Sequence, residues 1–98
     1  MMVGGHSQAQ EVTDEHRSTF EGFRDTVQAQ AGVTFVVFEP VLFTQQVVAG
    51  MIYHVKFNVG DGQYIHAKVF MPLPHTGDPA ECQVVASGKS LEDAIETL

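Results

Sequence analysis

Gln46-Val47-Val48-Ala49-Gly50 is the stretch whose reading decides the fold, because it joins two β-like segments, Phe35 to Gln45 and Met51 to Val59. A tight connection between strands is ordinarily polar, and this one is mostly small and apolar. Gly50 can take a positive φ or admit a close backbone, and Val47, Val48 and Ala49 are short enough to enter a narrow groove. The residues alone fit two states: a hairpin tip that touches a partner, or a strand that runs on and is simply buried.

On the C-terminal side, Met51 to Val59 alternates cleanly. Met51, Tyr53, Val55, Phe57 and Val59 share one face, and Ile52, His54, Lys56 and Asn58 share the other. Gly60-Asp61-Gly62 predicts a three-residue hairpin loop with Gly62 in the left-handed position. Closing there pairs Val59 with Gln63, and therefore Phe57 with Ile65, Val55 with Ala67 and Tyr53 with Val69. The apolar faces then coincide, as a strongly specified register requires. The same register sets Lys56 opposite His66 and His54 opposite Lys68, so each of these histidines faces a cation. No pair among His6, His16, His54, His66 and His75 has zinc-like spacing. No metal ligand and no cofactor are assigned.

Further on, Pro72, Pro74 and Pro79 exclude both helix and central strand. Leu73, between two of them, is held extended as a stiff apolar anchor. Glu81 to Ser87 reads as the last strand, with Cys82 as a small core hydrophobe. Leu91, Ala94, Ile95 and Leu98 have helical spacing, with Ser90 and Asp93 placed like a capping box. Such a short helix is marginal alone, so an irregular docked tail is expected.

Upstream, Pro40 calls for a bulge in the Phe35–Gln45 strand, since it removes a ladder donor. Thr13 to Ala29 reads as one amphipathic helix whose stripe is Val12, His16, Phe20, Phe23 and Val27, capped by Thr13 and stopped by Gly32. Gly22 weakens that helix by about 1 kcal/mol relative to alanine, and is expected to lie against the sheet where a side chain would not fit. Residues 1–10 have no apolar periodicity and read as a flexible arm.

With 98 residues, the chain holds one hydrophobic core, so a single domain spanning 1–98 is expected. A net charge of −7 excludes the basic stripe that nucleic acid or an anionic membrane would need. Neither a membrane span nor a secretory signal is visible, and Met1 reads as the translated start. Cys82 is the only cysteine, which rules out an intramolecular disulfide and points to the cytoplasm.

Gln46, Val48 and Gly50 form a Gln-x-Val-x-Gly motif, preceded by Gly4 near the N-terminus and followed by Leu73-Pro74-His75 after the fourth strand. In that order and over this length, the chain resembles the stefins, the single-domain type 1 cystatins. The resemblance implies an α+β, cystatin-like fold: an antiparallel four- to five-stranded sheet wrapped around one α-helix. It also implies reversible, competitive inhibition of papain-like cysteine proteases such as cathepsins L, S, H and B. Val3 and Gly4, with Gly5 as an alternative glycine, would lie along the unprimed subsites. Gln46, Val47, Val48, Ala49 and Gly50 would form the first contact loop, and Leu73, Pro74 and His75 the second, on the primed side. No catalytic residue is implied, and the expected assembly is a monomer, with a domain-swapped dimer as the other form. The rival function is a non-inhibitory binding or self-assembly module, favoured by the low-charge β-prone run from Phe35 to Val59. An enzyme is disfavoured because Cys82 and His75 carry no motif and no Gly-rich phosphate loop precedes a helix.

Overall fold

The computed structural model describes residues 8–73 and 77–95. Along the chain come strand β1 (Gln10–Glu11), helices α1 (Asp14–Glu21) and α2 (Arg24–Ala31), and strands β2 (Glu39–Val48), β3 (Gly50–Gly60), β4 (Gln63–Pro72) and β5 (Glu81–Lys89). The strands form one antiparallel sheet in the order β1-β2-β3-β4-β5. Both helices pack on one face of it, and the chain has the expected α+β cystatin-like architecture.

The helical stripe predicted from the sequence is the one that enters the core: Phe20 and Val27 are fully buried and Phe23 packs beside them. They meet Phe43, Val55, Phe57, Ile65, Ala67, Val69 and Cys82 from the sheet. Each fully buried Val, Ile or Phe contributes about 1.5–3 kcal/mol of transfer free energy. The helix is nevertheless two segments, not one. At Phe23 the backbone relaxes to φ −93 and ψ 8, and its N–H donates to the Phe20 carbonyl, three residues back instead of four. Gly22 does not lie against the sheet: a Cβ there would meet only the carbonyls of Ser18 and Thr19 in the preceding turn. Its low helix propensity therefore allows the break without any packing need. Gly32 ends α2 at φ 75, as its position suggested.

Phe35 to Phe38 is not strand, although its composition reads as one. Phe35 and Phe38 both point into the core, a three-residue step that a two-residue period cannot give, and their rings stack 6.0 Å apart. The backbone groups of Phe35 are taken by α2: its N–H donates to Gln28 Oε1 at 2.9 Å, and its carbonyl accepts from Arg24. Strand begins only at Glu39, and the bulge expected at Pro40 lies between Pro40 and Leu42. The carbonyl of Val41, inside that bulge, accepts the Val12 N–H at 3.3 Å and ties the entry to α1 onto the sheet.

The β3–β4 register is as predicted, with Phe57↔Ile65, Val55↔Ala67 and Tyr53↔Val69 paired. Its turn is different. Asp61 and Gly62 both have positive φ, 55 and 71, so the loop is a two-residue turn of the I′ kind, and Gln63 pairs with Gly60, not Val59. A shift between Asn58 and Gly60 absorbs the extra residue.

The outer face of the sheet is polar yet dry. His54, Lys56 and His66 are each 1% exposed. The segment after β5 makes a single irregular turn against Lys56, whose ammonium donates to the carbonyls of Ser90 (3.2 Å), Leu91 (2.5 Å) and Asp93 (2.5 Å). Burial pulls the Lys56 pKa down, opposed by the nearby Asp93 and Glu92 carboxylates. Asp93 Oδ2 accepts the Ser90 N–H at 2.8 Å, the capping-box contact anticipated from the spacing, without a helix behind it. That bond, above all, holds the Asp93 carboxyl below its ordinary pKa.

Candidate functional site

β2 and β3 bring Gln46, Val47, Val48, Ala49 and Gly50 to one end of the sheet. Strand pairing continues to the end of this stretch, yet Val47, Val48 and Ala49 are not buried as a simple continuation would have them. Gln46 pairs with Ile52, Val47 with Met51 and Val48 with Gly50, so only Ala49 remains as the apex. Val47 is 72% exposed and Val48 38% exposed, and Ala49 is open to solvent. Val47 and Val48 are β-branched residues on paired strands, so their side chains have few rotamers and a fixed direction.

β4 ends beside this tip. Gly50 pairs with Pro72 and Met51 with Met71, which puts Leu73 immediately past the residue that faces Gly50. Leu73 is 39% exposed. Val48, Gly50 and Pro72 thus form a row across three adjacent strands, with the Val47–Ala49 tip and Leu73 at its margin. Gly50 itself is buried, with φ +124. Pro74 and His75 lie outside the described residues, as do Val3 and Gly4.

β1 was not legible in the sequence, since Gln10 and Glu11 carry no strand pattern. It gives the arm a direction. Gln10 pairs with Phe43 and Glu11 with Leu42, antiparallel to β2, so the chain before Gln10 points toward the Val48 end. Gly4 is six residues before Gln10, and Ala49 is six beyond Phe43.

The tip is uncharged: no Asp, Glu, Lys or Arg occurs from Gln46 to Tyr53 or from Phe70 to Pro74. The nearest formal charges on the paired strands are Lys68, opposite His54, and Glu81, opposite Phe70. An apolar, uncharged edge carried on strands can fill a hydrophobic cleft and expel water from it; it has no group suited to attack or to transfer protons. Cys82 is far less nucleophilic than a free thiol, because burial pushes its pKa up to about 11. An open groove of about 490 Å³ lies on the outer face between Ile52, Lys68, Phe70, Glu81 and Gln83. It mixes charge and apolar surface and holds no convergent polar set. Among the described residues, no helix is long and apolar enough to cross a membrane.

A family model described as the cystatin domain matches residues 25–89, which include both turns and all of β2 to β5. Over 95 residues the chain is 34% identical to Cystatin-B of Homo sapiens, covering 97% of each. It is 33% identical to Cystatin-A1 of Sus scrofa and 30% identical to Leukocyte cysteine proteinase inhibitor 1 of Sus scrofa, covering 97% of this chain and 92% of each relative.

Proposed function

The chain belongs to the cystatin family, on its stefin branch, and we propose that it is a reversible, competitive inhibitor of papain-like cysteine proteases. One observation carries the reading: the row Val48, Gly50 and Pro72 brings the exposed valine tip and exposed Leu73 to one end of the sheet. Gln46, Val47, Val48, Ala49 and Gly50 form the first contact element, with Leu73, Pro74 and His75 as the second. The arm supplies Val3 and Gly4, and the direction of β1 favours its reaching the same end. Together they make a wedge that fills the cleft of enzymes such as cathepsins L, S, H and B. Inhibition needs no covalent step: the wedge excludes substrate while presenting no peptide bond to the catalytic thiol.

The energetics suit such a plug. A standard interface buries roughly 800 Å² per partner, and its affinity depends on how little ordering the contact elements still require. Strand pairing through Val48 and Pro72 has already ordered the Val47–Ala49 tip and the strand that leads into Leu73. The protein acts as a non-catalytic monomer without cofactor, in the cytoplasm, as one domain. Titration of papain with the full chain tests the reading: tight, reversible, substrate-competitive loss of activity is expected, and unchanged turnover at micromolar inhibitor refutes it.

A self-assembly module is the second reading, and a specific feature favours it. Val36 and Val37 are 95% and 39% exposed, inside the low-charge run from Phe35 to Val59. Size-exclusion chromatography beside the titration separates the two. Assembly that removes inhibition supports strand exchange through the tip, and a monomer that inhibits supports the wedge.

A further inference from the structure

Gly50 closes the contact motif, yet it is buried beneath the tip. Its φ of +124 is a conformation that side chains of L-residues rarely adopt. More telling is what a Cβ would strike. It would fall within 3.0 Å of the Met71 carbonyl oxygen and 3.1 Å from the Pro72 Cα. Both are backbone atoms of β4, so no side chain can swing aside; the strand itself would have to move. Met71 and Pro72 lead directly into Leu73. The glycine is therefore what lets β3 and β4 close at this end, and that closure sets the spacing between the Val48 turn and the Leu73 turn.

We propose that Gly50, at the end of the first contact element, is a positioning residue that fixes Leu73 relative to the Val48 tip, acting through Met71 and Pro72. Its effect on inhibition rests on the inhibitor reading above; its effect on β4 does not. A methyl at position 50 pushes Leu73 away from the tip, so that a cleft able to take one turn no longer takes both. Backbone strain alone gives a different result, and another glycine supplies the comparison. Gly62 has φ +71 but nothing within 4 Å of an added Cβ, and it sits in the turn at the opposite end of the sheet.

The experiment uses the full chain against papain, with Gly50→Ala, Leu73→Ala, the double variant and Gly62→Ala. Gly50→Ala should weaken inhibition about 10- to 100-fold. Leu73→Ala should cost much less on the Gly50→Ala background than on the native one, because the first change has already misplaced Leu73. Gly62→Ala should lower the melting temperature and leave inhibition unchanged. In the free protein, amide NMR shifts of Met71 and Leu73 should move in Gly50→Ala and stay fixed in Gly62→Ala. If Gly50→Ala does not fold, Pro72→Gly loosens the same row from the other strand and should show the same non-additivity with Leu73→Ala. Fully multiplicative effects with unmoved Met71 and Leu73 amides overturn the proposal. Failure of the native chain to inhibit papain overturns the inhibitor reading instead, and the free-protein shifts still decide the coupling.

Discussion

Both ends of the sheet expose valines, and they do so in different ways. At one end Val47 and Val48 project from paired strands, with Leu73 beside them. At the other, Val33, Val36 and Val37 lie in the irregular segment between α2 and β2, next to the Asp61-Gly62 turn, where Val37 is the side chain nearest to Gly60. Exposure alone would rank the second end higher, since Val36 is 95% exposed. The difference lies in what fixes the side chains. The first end is set by ladder register on three strands, whereas the second is held by what its neighbours Phe35 and Phe38 bury and by the Arg24 and Gln28 bonds to Phe35. A preordered apolar edge binds at low ordering cost, and on the inhibitor reading an exposed valine on an anchoring segment follows from burying its neighbours.

Charge placed at each end would break that contrast most forcefully. Val48→Asp should weaken inhibition of papain by about 100-fold or more, since a carboxylate would have to be desolvated in the cleft. Its thermal midpoint should match that of the native chain, measured by circular dichroism, because Val48 leaves no cavity. Comparable inhibition by the variant would remove the first end from the account.

Phe38→Ala probes the second end as scaffold. Phe38 stacks on Phe57 at 4.4 Å between centroids, so its truncation should cost about 3 kcal/mol in urea unfolding. Inhibition measured well below the new midpoint should be unchanged. A loss of affinity without a loss of stability would assign this end a binding role.

The core beneath both ends has a pH signature. The Cys82 thiol has its pKa raised to about 11 from the ordinary 9.0, so the unfolded chain ionises first. Stability from the neutral thiol is complete below pH 9 and is lost between pH 9 and 11, by roughly 2–3 kcal/mol at the upper limit. Cys82→Ala should flatten that alkaline slope relative to the native chain. Identical slopes would mean that the thiol reaches solvent.

Gln30 closes the margin of β5. Its carboxamide donates to the Cys82 carbonyl at 2.8 Å and accepts the Val84 N–H at 2.6 Å, taking two backbone groups where no neighbouring strand pairs. Gln30→Ala should cost about 1 kcal/mol, and faster exchange of the Val84 amide would locate the loss. Smallest of all, Val36→Asp should shift stability by less than about 0.5 kcal/mol and leave papain inhibition as it was. A strong effect there would invert the comparison of the two ends.

Much of this was legible in the sequence where two local signals agreed. The alternation from Met51 to Val59 and the Gly-Asp-Gly turn together specified the β3–β4 pairing, although the turn took two residues and the ladder a bulge. Pro40 announced its own irregularity, and Gly32 its helix end. Where tertiary contacts overrule local pattern, the reading failed. Phe35 to Phe38 has strand composition, but side chains of α2 capture its backbone. The break at Phe23 leaves the apolar stripe in register, so periodicity could not reveal it. Alternation placed His54, Lys56 and His66 on the outer face but could not show that they are buried there, or that the turn after Lys89 receives the Lys56 ammonium. Within the candidate site, motif residues were readable by type. The spacing role of Gly50 was not, because it depends on Met71 and Pro72, on the next strand.

The most direct test of the wedge is amide hydrogen exchange on the full chain, free and bound to catalytically inactivated papain. The account predicts new protection in residues 1–5, 46–50 and 71–75, with none at 32–38 or 59–64. Protection at Val36 and Asp61 with an unprotected Val48 tip, or no complex at all, would contradict it.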